Sequence, residues 1–314
     1  VIITALLWSY AALLAFAGPV VLRWLAGSRR SPRLAVLAWQ GASVSVVLAA
    51  CLGGLSLLLP RVSWAVDVSE LLRSCVMALR AQYGTPGPLA AAVGAGVVLL
   101  IAGQLLTALA VTKRSNARAR LRHHDLVRLV GTRDEVRGMS VVPSSSAAAY
   151  CVPGPGAVVV LTTGALERLQ DDELAAVLVH EHAHLRGRHH WVVAAAEVLQ
   201  LAWPWVPLFR LAHAEVSVLV EMLADDAAAR ASDRVCVARA LVTLGTVGVP
   251  VGTLGATGAS PRERVERMLR PAQRVGVVTS LSTLVMAAMF IVAPLAVWAA
   301  PALRIAGRAY CPLP

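Results

Sequence analysis

Three side chains in Val177–Leu185, V-L-V-H-E-H-A-H-L, can do chemistry together: His180, Glu181 and His184, in the spacing H-E-x-x-H. On a helix, positions i and i+4 share a face, so the two imidazoles can meet at one divalent ion. Glu181 points to the side of that pair, where it can take a proton from metal-bound water instead of ligating. An ordinary helix burying three histidines and a glutamate without a metal would strand several polar groups. The chemistry indicated is hydrolysis. A zinc ion lowers the pKa of its water toward ~7, and Glu181 passes the proton on to the leaving amine.

Two imidazoles do not complete such a site. A catalytic zinc needs a third protein ligand and keeps one position for water. Downstream, Glu197, His213, Glu215 and Glu221 are available. Glu221 stands out because Asp225 follows it at i+4 in E-M-L-A-D-D; Glu197 and Glu215 have no carboxylate four residues on. One helix would then carry Glu221 to the metal and Asp225 one turn away, where it can hold a ligand histidine by the second ring nitrogen. Ala224 is small enough to let two helices approach closely. The plain alternative for Glu221 is a solvated helix residue. For the oxyanion, His189, His190, His213 and Arg230 are candidates that the sequence does not rank.

These side chains need elements to hold them. Leu174–Val179 is helix-compatible, Asp171 and Asp172 can cap its start and Gly187 its end, which predicts a helix over about 172–186. Ahead of it, Ala157–Thr163 is rich in β-branched residues and predicts a strand. Its residues Val158, Val159, Val160, Leu161 and Thr162 are expected to form an edge that pairs with an extended substrate; the alternative is an ordinary core strand. Met139–Pro143 is a second strand candidate, Gly131–Gly138 a charged loop, and Y-C-V-P-G-P-G a turn. Residues 113–130 read as a basic amphipathic helix. Trp191–Phe209 is apolar apart from Glu197 and Gln200 and is split by two prolines, with Trp203 and Trp205 suited to a membrane surface, so it reads as a helix and a break lying on the bilayer. Leu211–Ala231 is the helix of Glu221 and Asp225, and Ser232 and Asp233 cap the next. Gly245–Ser260 lacks charge and reads as a flexible flap. In R-E-R-V-E-R-M-L the alternating charges predict a short helix with a solvated face.

The chain as a whole is too apolar for an ordinary soluble domain: 57% of its 314 residues are hydrophobic, 15% are charged, and the mean hydropathy is +0.67. The runs Val1–Leu22, Leu34–Pro60, Ala81–Thr112 and Val275–Leu303 hold no charged residue, and each can cross a bilayer core as a helix. They predict spans at about 1–22, 34–59, 88–111 and 275–303. Arg23, Arg29, Arg30 and Arg33 follow the first run instead of preceding it, which favours a retained span over a cleaved signal. With the basic loops inside, the loop 61–80 and both termini fall outside, 304–314 being a short extracytoplasmic tail. The segment 113–274, which opens with Lys113, Arg114, Arg118, Arg120 and Arg122, falls in the cytoplasm. The expected fold is thus a mainly α membrane protein of the cell membrane, with a cytoplasmic α+β zincin-like metallopeptidase domain inserted between spans three and four.

The net charge of +11 then reflects topology and contact with anionic headgroups of the bilayer, not nucleic acid, for which no motif is present. Spans without charged residues count against a transporter. Five cysteines show no C-x-x-C spacing and so no cysteine metal site. Cys75 and Cys311 would both lie outside, where they could form a disulfide.

The order of elements resembles the BlaR/MecR-type membrane zinc metallopeptidases, kin of HtpX and the CaaX-prenyl endopeptidases. The resemblance rests on V-V-V-L-T-T-G-A-L, D-E-L-A-A-V-L-V-H-E-H-A-H-L-R-G-R-H and E-M-L-A-D-D-A-A-A-R, with three spans before the catalytic segment and one after. It implies one zinc ion held by His180, His184 and Glu221, with Glu181 as base. It also implies a protein substrate in the cytoplasm, notably a DNA-binding repressor that controls antibiotic-response genes. Beta-lactam receptors of that family carry a large penicillin-binding sensor after the last span. Here residues 304–314 follow, without an S-x-x-K motif, so the expectation is a short member that does not sense beta-lactams directly. Two other readings remain: a quality-control protease like HtpX, and a non-catalytic metal-binding membrane receptor. The second leaves Glu181 without a task.

Overall fold

The computed structural model describes residues 2–26, 31–58, 87–154, 156–245, 261–271 and 276–309. The loop 61–80, the Cys75–Cys311 pair, nearly all of the 245–260 stretch and the last five residues lie outside them. The described chain is mostly helical, with one small sheet.

It opens with α1 (Ile2–Ala26) and α2 (Pro32–Leu58) and continues, after the undescribed loop, with α3 (Pro88–Val130). Helix α2 is the hub. Small residues along it, among them Ala35, Ala38, Ala42 and Ala49, are fully buried and let neighbours approach on several sides. The backbones of α2 and α3 come close together: a Cβ on Gly94 would lie 2.6 Å from the Gly54 carbonyl oxygen and 2.8 Å from Leu57 Cβ. Short polar side chains tie the helices together. Thr4 bonds Ser56 at 2.6 Å and Tyr10 bonds Ser45 at 2.8 Å, while Trp8 donates to the Ala50 carbonyl at 3.2 Å.

The third apolar run and the basic amphipathic helix expected over 113–130 form one continuous element. Helix α3 runs on for 43 residues, because no glycine or proline interrupts it between Thr112 and Gly131. At 1.5 Å per residue it is about 65 Å long, twice the ~30 Å of a hydrocarbon core. Its basic half therefore projects well past any bilayer. Gly131, in an extended conformation, ends it.

Four strands follow: β1 (Thr132–Asp134), β2 (Met139–Val142), β3 (Ala149–Val152) and β4 (Val158–Thr162), in the order β1-β2-β4-β3. Two expectations need correcting. The supposed charged loop contains β1, and the supposed Y-C-V turn is β3. A third correction matters more for function: β4 is not an edge. It pairs in parallel with β2 and antiparallel with β3, Val160 facing both Ser140 and Tyr150. The backbone of Val158, Val159, Val160, Leu161 and Thr162 is thus committed to two neighbours, and its continuous β-branched run marks a strand buried on both faces. The free edges among the described residues belong to β1 and β3.

Thr162 then caps α4 (Thr163–Arg168), its hydroxyl accepting from the Ala165 amide at 3.2 Å. Next comes α5 (Asp171–Arg186), which carries the H-E-x-x-H residues. Its N-cap is Gln170, one residue ahead of the aspartates; the Gln170 amide donates to Glu173 at 3.2 Å. The chain continues with α6 (His189–Ala202), α7 (Pro207–Ala231), α8 (Arg234–Gly245), α9 (Pro261–Leu269) and α10 (Val277–Ala309). Pro207 opens α7 at a position where a missing amide hydrogen costs nothing. Helix α10 returns to α2, where Ser45 donates to the Phe290 carbonyl.

Helices α1, α2, α3 and α10 are each long and apolar enough to cross a membrane, which fits a multi-pass membrane protein. The α6–α7 pair packs on three of them, α1, α2 and α3. Gln40 of α2 donates to the Val192 carbonyl at 2.9 Å, and Arg23 of α1 faces Glu215 at 3.5 Å. Trp39 and Ala42 share one core with Phe209, Ala212, Val216 and Leu219. Of the two tryptophans expected at a membrane surface, Trp205 is exposed, whereas Trp203 packs into that core against Phe209.

The close approach of α2 and α3 gives a first test. Gly94→Leu should destabilise the protein by roughly 1–3 kcal/mol through overpacking, read as a lower melting temperature in detergent. Gly96→Leu, on a face with nothing within 4 Å, should melt like wild type. Equal melts for both variants would mean that the two helices do not meet at Gly94.

Candidate metal centre

Helix α5 presents His180 and His184 on one face, with their Nε2 atoms 3.2 Å apart. Helix α7 brings Glu221 to meet them. Its Oε2 lies 3.6 Å from His180 Nε2 and its Oε1 3.5 Å from His184 Nε2. The three side chains form the cluster that could hold a metal ion, with ligand atoms within 4.8 Å of one another. Donors bound at ~2.0–2.2 Å in a tetrahedron stand about 3.4 Å apart, so these separations suit one ion without rearrangement. A second observation agrees. Glu221 Oε1 is buried and has no hydrogen-bond partner, a costly state for a carboxylate oxygen that a cation would relieve. Two imidazoles and a carboxylate are a zinc donor set that leaves the fourth position open.

The residues behind these three side chains orient them. Asp225, 0% exposed, has its Oδ1 3.1 Å from His180 Nδ1, which turns His180 Nε2 toward the cluster. Arg264 of α9 closes on Asp225 with two hydrogen bonds, Nη2 to Oδ1 at 2.6 Å and Nε to Oδ2 at 2.9 Å. The same guanidinium lies 3.1 Å from Glu221 Oε2. One helical turn on, Arg267 makes two bonds to Asp226 at 2.8 and 2.9 Å. Arg234 fixes the end of α9 by donating to the Arg267 and Met268 carbonyls.

The α9 sequence therefore does not present the simple solvated face expected of it. Arg264, Arg267 and the buried Met268 stand at i, i+3 and i+4, one face of a helix. That spacing was the available signal, and the alternating glutamates obscured it.

The electrostatics follow from burial and these pairs. Burial opposes charge on His180, but the bonds to Asp225 and then Glu221 carry its pKa upward. Burial would raise the Glu221 carboxyl, and Arg264 instead holds it low, at about 2. Burial pushes His184 down to about 3, so its ring is neutral, as a ligand must be. Glu181 is buried beside the Cys151 thiol of β3, and burial raises its carboxyl above the usual range, the direction that suits a general base.

The other sequence candidates lie elsewhere. Glu215 pairs with Arg23, and Glu197 acts on His213 across the α6–α7 pair. Along α7, His213 and Arg230 stand eight and nine residues from Glu221, about 12–14 Å of helix. His190 stacks near Trp191 and faces Arg120 and Arg188. Of the four oxyanion candidates, His189 alone touches the cluster, its Nδ1 lying 3.0 Å from His184 Nδ1.

Residues 113–218 match Peptidase family M48. The matched stretch covers the projecting half of α3, the sheet, α5 and α6, and stops three residues short of Glu221. M48 peptidases are zinc metalloproteases, so the match and the donor cluster together support a metallopeptidase. No curated protein and no solved structure matches the chain.

Arg264 gives the second test. Arg264→Met leaves Glu221 and Asp225 without their cation, and breaking a buried pair in this way costs about 3–5 kcal/mol. Arg267→Met, at a pair nearer the surface, should cost about 1 kcal/mol or less. Melts of the two variants side by side decide; equal, small effects would show that α9 does not seat Arg264 on the carboxylates.

Proposed function

We propose that the protein is an integral-membrane zinc endopeptidase that cleaves proteins at the cytoplasmic face of the cell membrane. The observation that carries this is the convergence of His180, His184 and Glu221 within reach of one ion, with Glu181 on the same helix. A bound zinc ion would supply an acidified water and polarise the scissile carbonyl. Glu181 takes the proton of the attacking water and delivers it to the leaving nitrogen. Asp225 holds His180 in the ligand tautomer, and Arg264 balances the charge of the two buried carboxylates.

An extended substrate would pair with the outer edge of β3, not with β4. Glu181 acts on the Cys151 thiol of β3, so a chain laid on that edge passes the base. The arginine-rich loop after α1 and the basic half of α3 support a cytoplasmic location for the segment between α3 and α10 by the positive-inside rule. The packing of α7 on α1 and α2 then keeps the site close to the inner leaflet.

Two cellular roles fit this enzyme. Cleavage of a transcriptional repressor in signal transduction follows from the BlaR/MecR resemblance. Quality control of membrane proteins, as in HtpX, is favoured by the position of the site against two spans, within reach of chains leaving the bilayer.

Glu181→Gln should keep zinc and lose proteolysis by about 10²–10⁴-fold, while Glu221→Ala should lose the metal. Peptide hydrolysis at the wild-type rate by pure Glu181→Gln protein would refute the base assignment. Comparing proteins cleaved in cells holding wild type or Glu181→Gln separates the two roles: loss of one soluble repressor speaks for signalling, loss of many membrane proteins for quality control.

A further inference from the structure

We propose that His189 is a positioning residue: it accepts a hydrogen bond from His184 and thereby aims His184 at the ion. The proposal rests on the zinc reading above. To ligate through Nε2, His184 must carry its proton on Nδ1, and that proton needs an acceptor. His189 Nδ1 stands 3.0 Å away. The two rings meet edge-on at 86° with centroids 4.8 Å apart, and both side chains are buried.

The chain is bent to make this contact. Helix α5 ends at Arg186, and α6 begins at His189, with only Gly187 and Arg188 between them. Arg188 has φ 49° and ψ 39°, the left-handed region, and no other non-glycine residue among those described has a positive φ. Such a conformation is strained for a residue with a Cβ and persists where the surroundings demand it. Gly187 is equally constrained: a Cβ there would lie 2.4 Å from His189 Nε2. The turn G-R-H thus folds the His189 ring back beneath a ring five residues earlier.

The two ligand histidines are therefore braced differently. His180 leans on a carboxylate, Asp225, and His184 on a neutral ring. Glu181, Glu221 and Asp225 already put three carboxyl groups out of water in this place, with one guanidinium beside them. A further carboxylate under His184 would add a buried charge that nothing at hand pairs. A neutral acceptor fixes orientation without that cost.

The test uses the full chain in detergent, with zinc affinity measured by competition against a chromophoric chelator. Asn and Gln at position 189 separate the two ring nitrogens: an Asn oxygen stands where Nδ1 stands, a Gln oxygen where Nε2 stands. His189→Gln should bind zinc 10–100-fold more weakly than wild type, the usual loss for such a partner. His189→Asn should stay within about threefold of it. Melts of the chelator-treated proteins establish that both are folded. Equal affinity of His189→Gln and wild type, or equal weakness of the Asn and Gln variants, overturns the proposal. Glu221→Ala guards the premise: if wild type holds no more zinc than that variant, the metallopeptidase reading itself falls.

Discussion

Glu221 and Asp225 stand one turn apart on α7 and are 2% and 0% exposed. Two carboxylates taken out of water at such spacing are tolerable only if positive groups reach them, since an unpaired buried charge costs several kcal/mol. That requirement organises the domain. His180 and His184 arrive from α5, Arg264 from α9, and a bound cation would complete the balance. Three helices far apart in sequence must therefore meet at one point. The arginine pairs at Arg264 and Arg267, with Arg234 at the end of α9, hold the third of them in place.

The opposite side of α7 has a different obligation. Phe209, Ala212, Val216 and Leu219 are buried in the core that α1 and α2 share. One helix thus faces the charged centre on one flank and membrane-length helices on another. The Gln40–Val192 bond and the Arg23–Glu215 pair tie the same assembly together at its rim. A shift of α1 against α2 could not leave α7 untouched, and α7 carries Glu221 of the candidate metal cluster. This packing sets the centre beside helices long enough to cross a membrane.

The parts of the centre written in helical spacing were legible in the sequence. His180 and His184 at i, i+4, and Glu221 and Asp225 at i, i+4, each place two groups on one face whatever surrounds them. The four apolar runs were legible for the same reason, because length and absence of charge are local properties. Arg264 was not, since its partner lies thirty-nine residues away and its neighbours Glu263 and Glu266 imitate a solvated helix. The environment of β4 was misread because a run of β-branched residues suits an edge or an interior strand alike. Only the pairing of β2 and β3 with it decides. Strands β1 and β3 were missed because glycines and prolines nearby look like turns. The bracing of His184 by His189 needed a left-handed Arg188, which nothing in the residue type announces.

The central claim is that three side chains, two imidazoles and one carboxylate, hold a single zinc ion. X-ray absorption at the zinc edge of the purified full-length protein tests it most directly. The account predicts one zinc per chain with two imidazole nitrogens and oxygen donors at about 2.0–2.2 Å. Zinc well below one per chain, or a sulfur shell at about 2.3 Å, would contradict it.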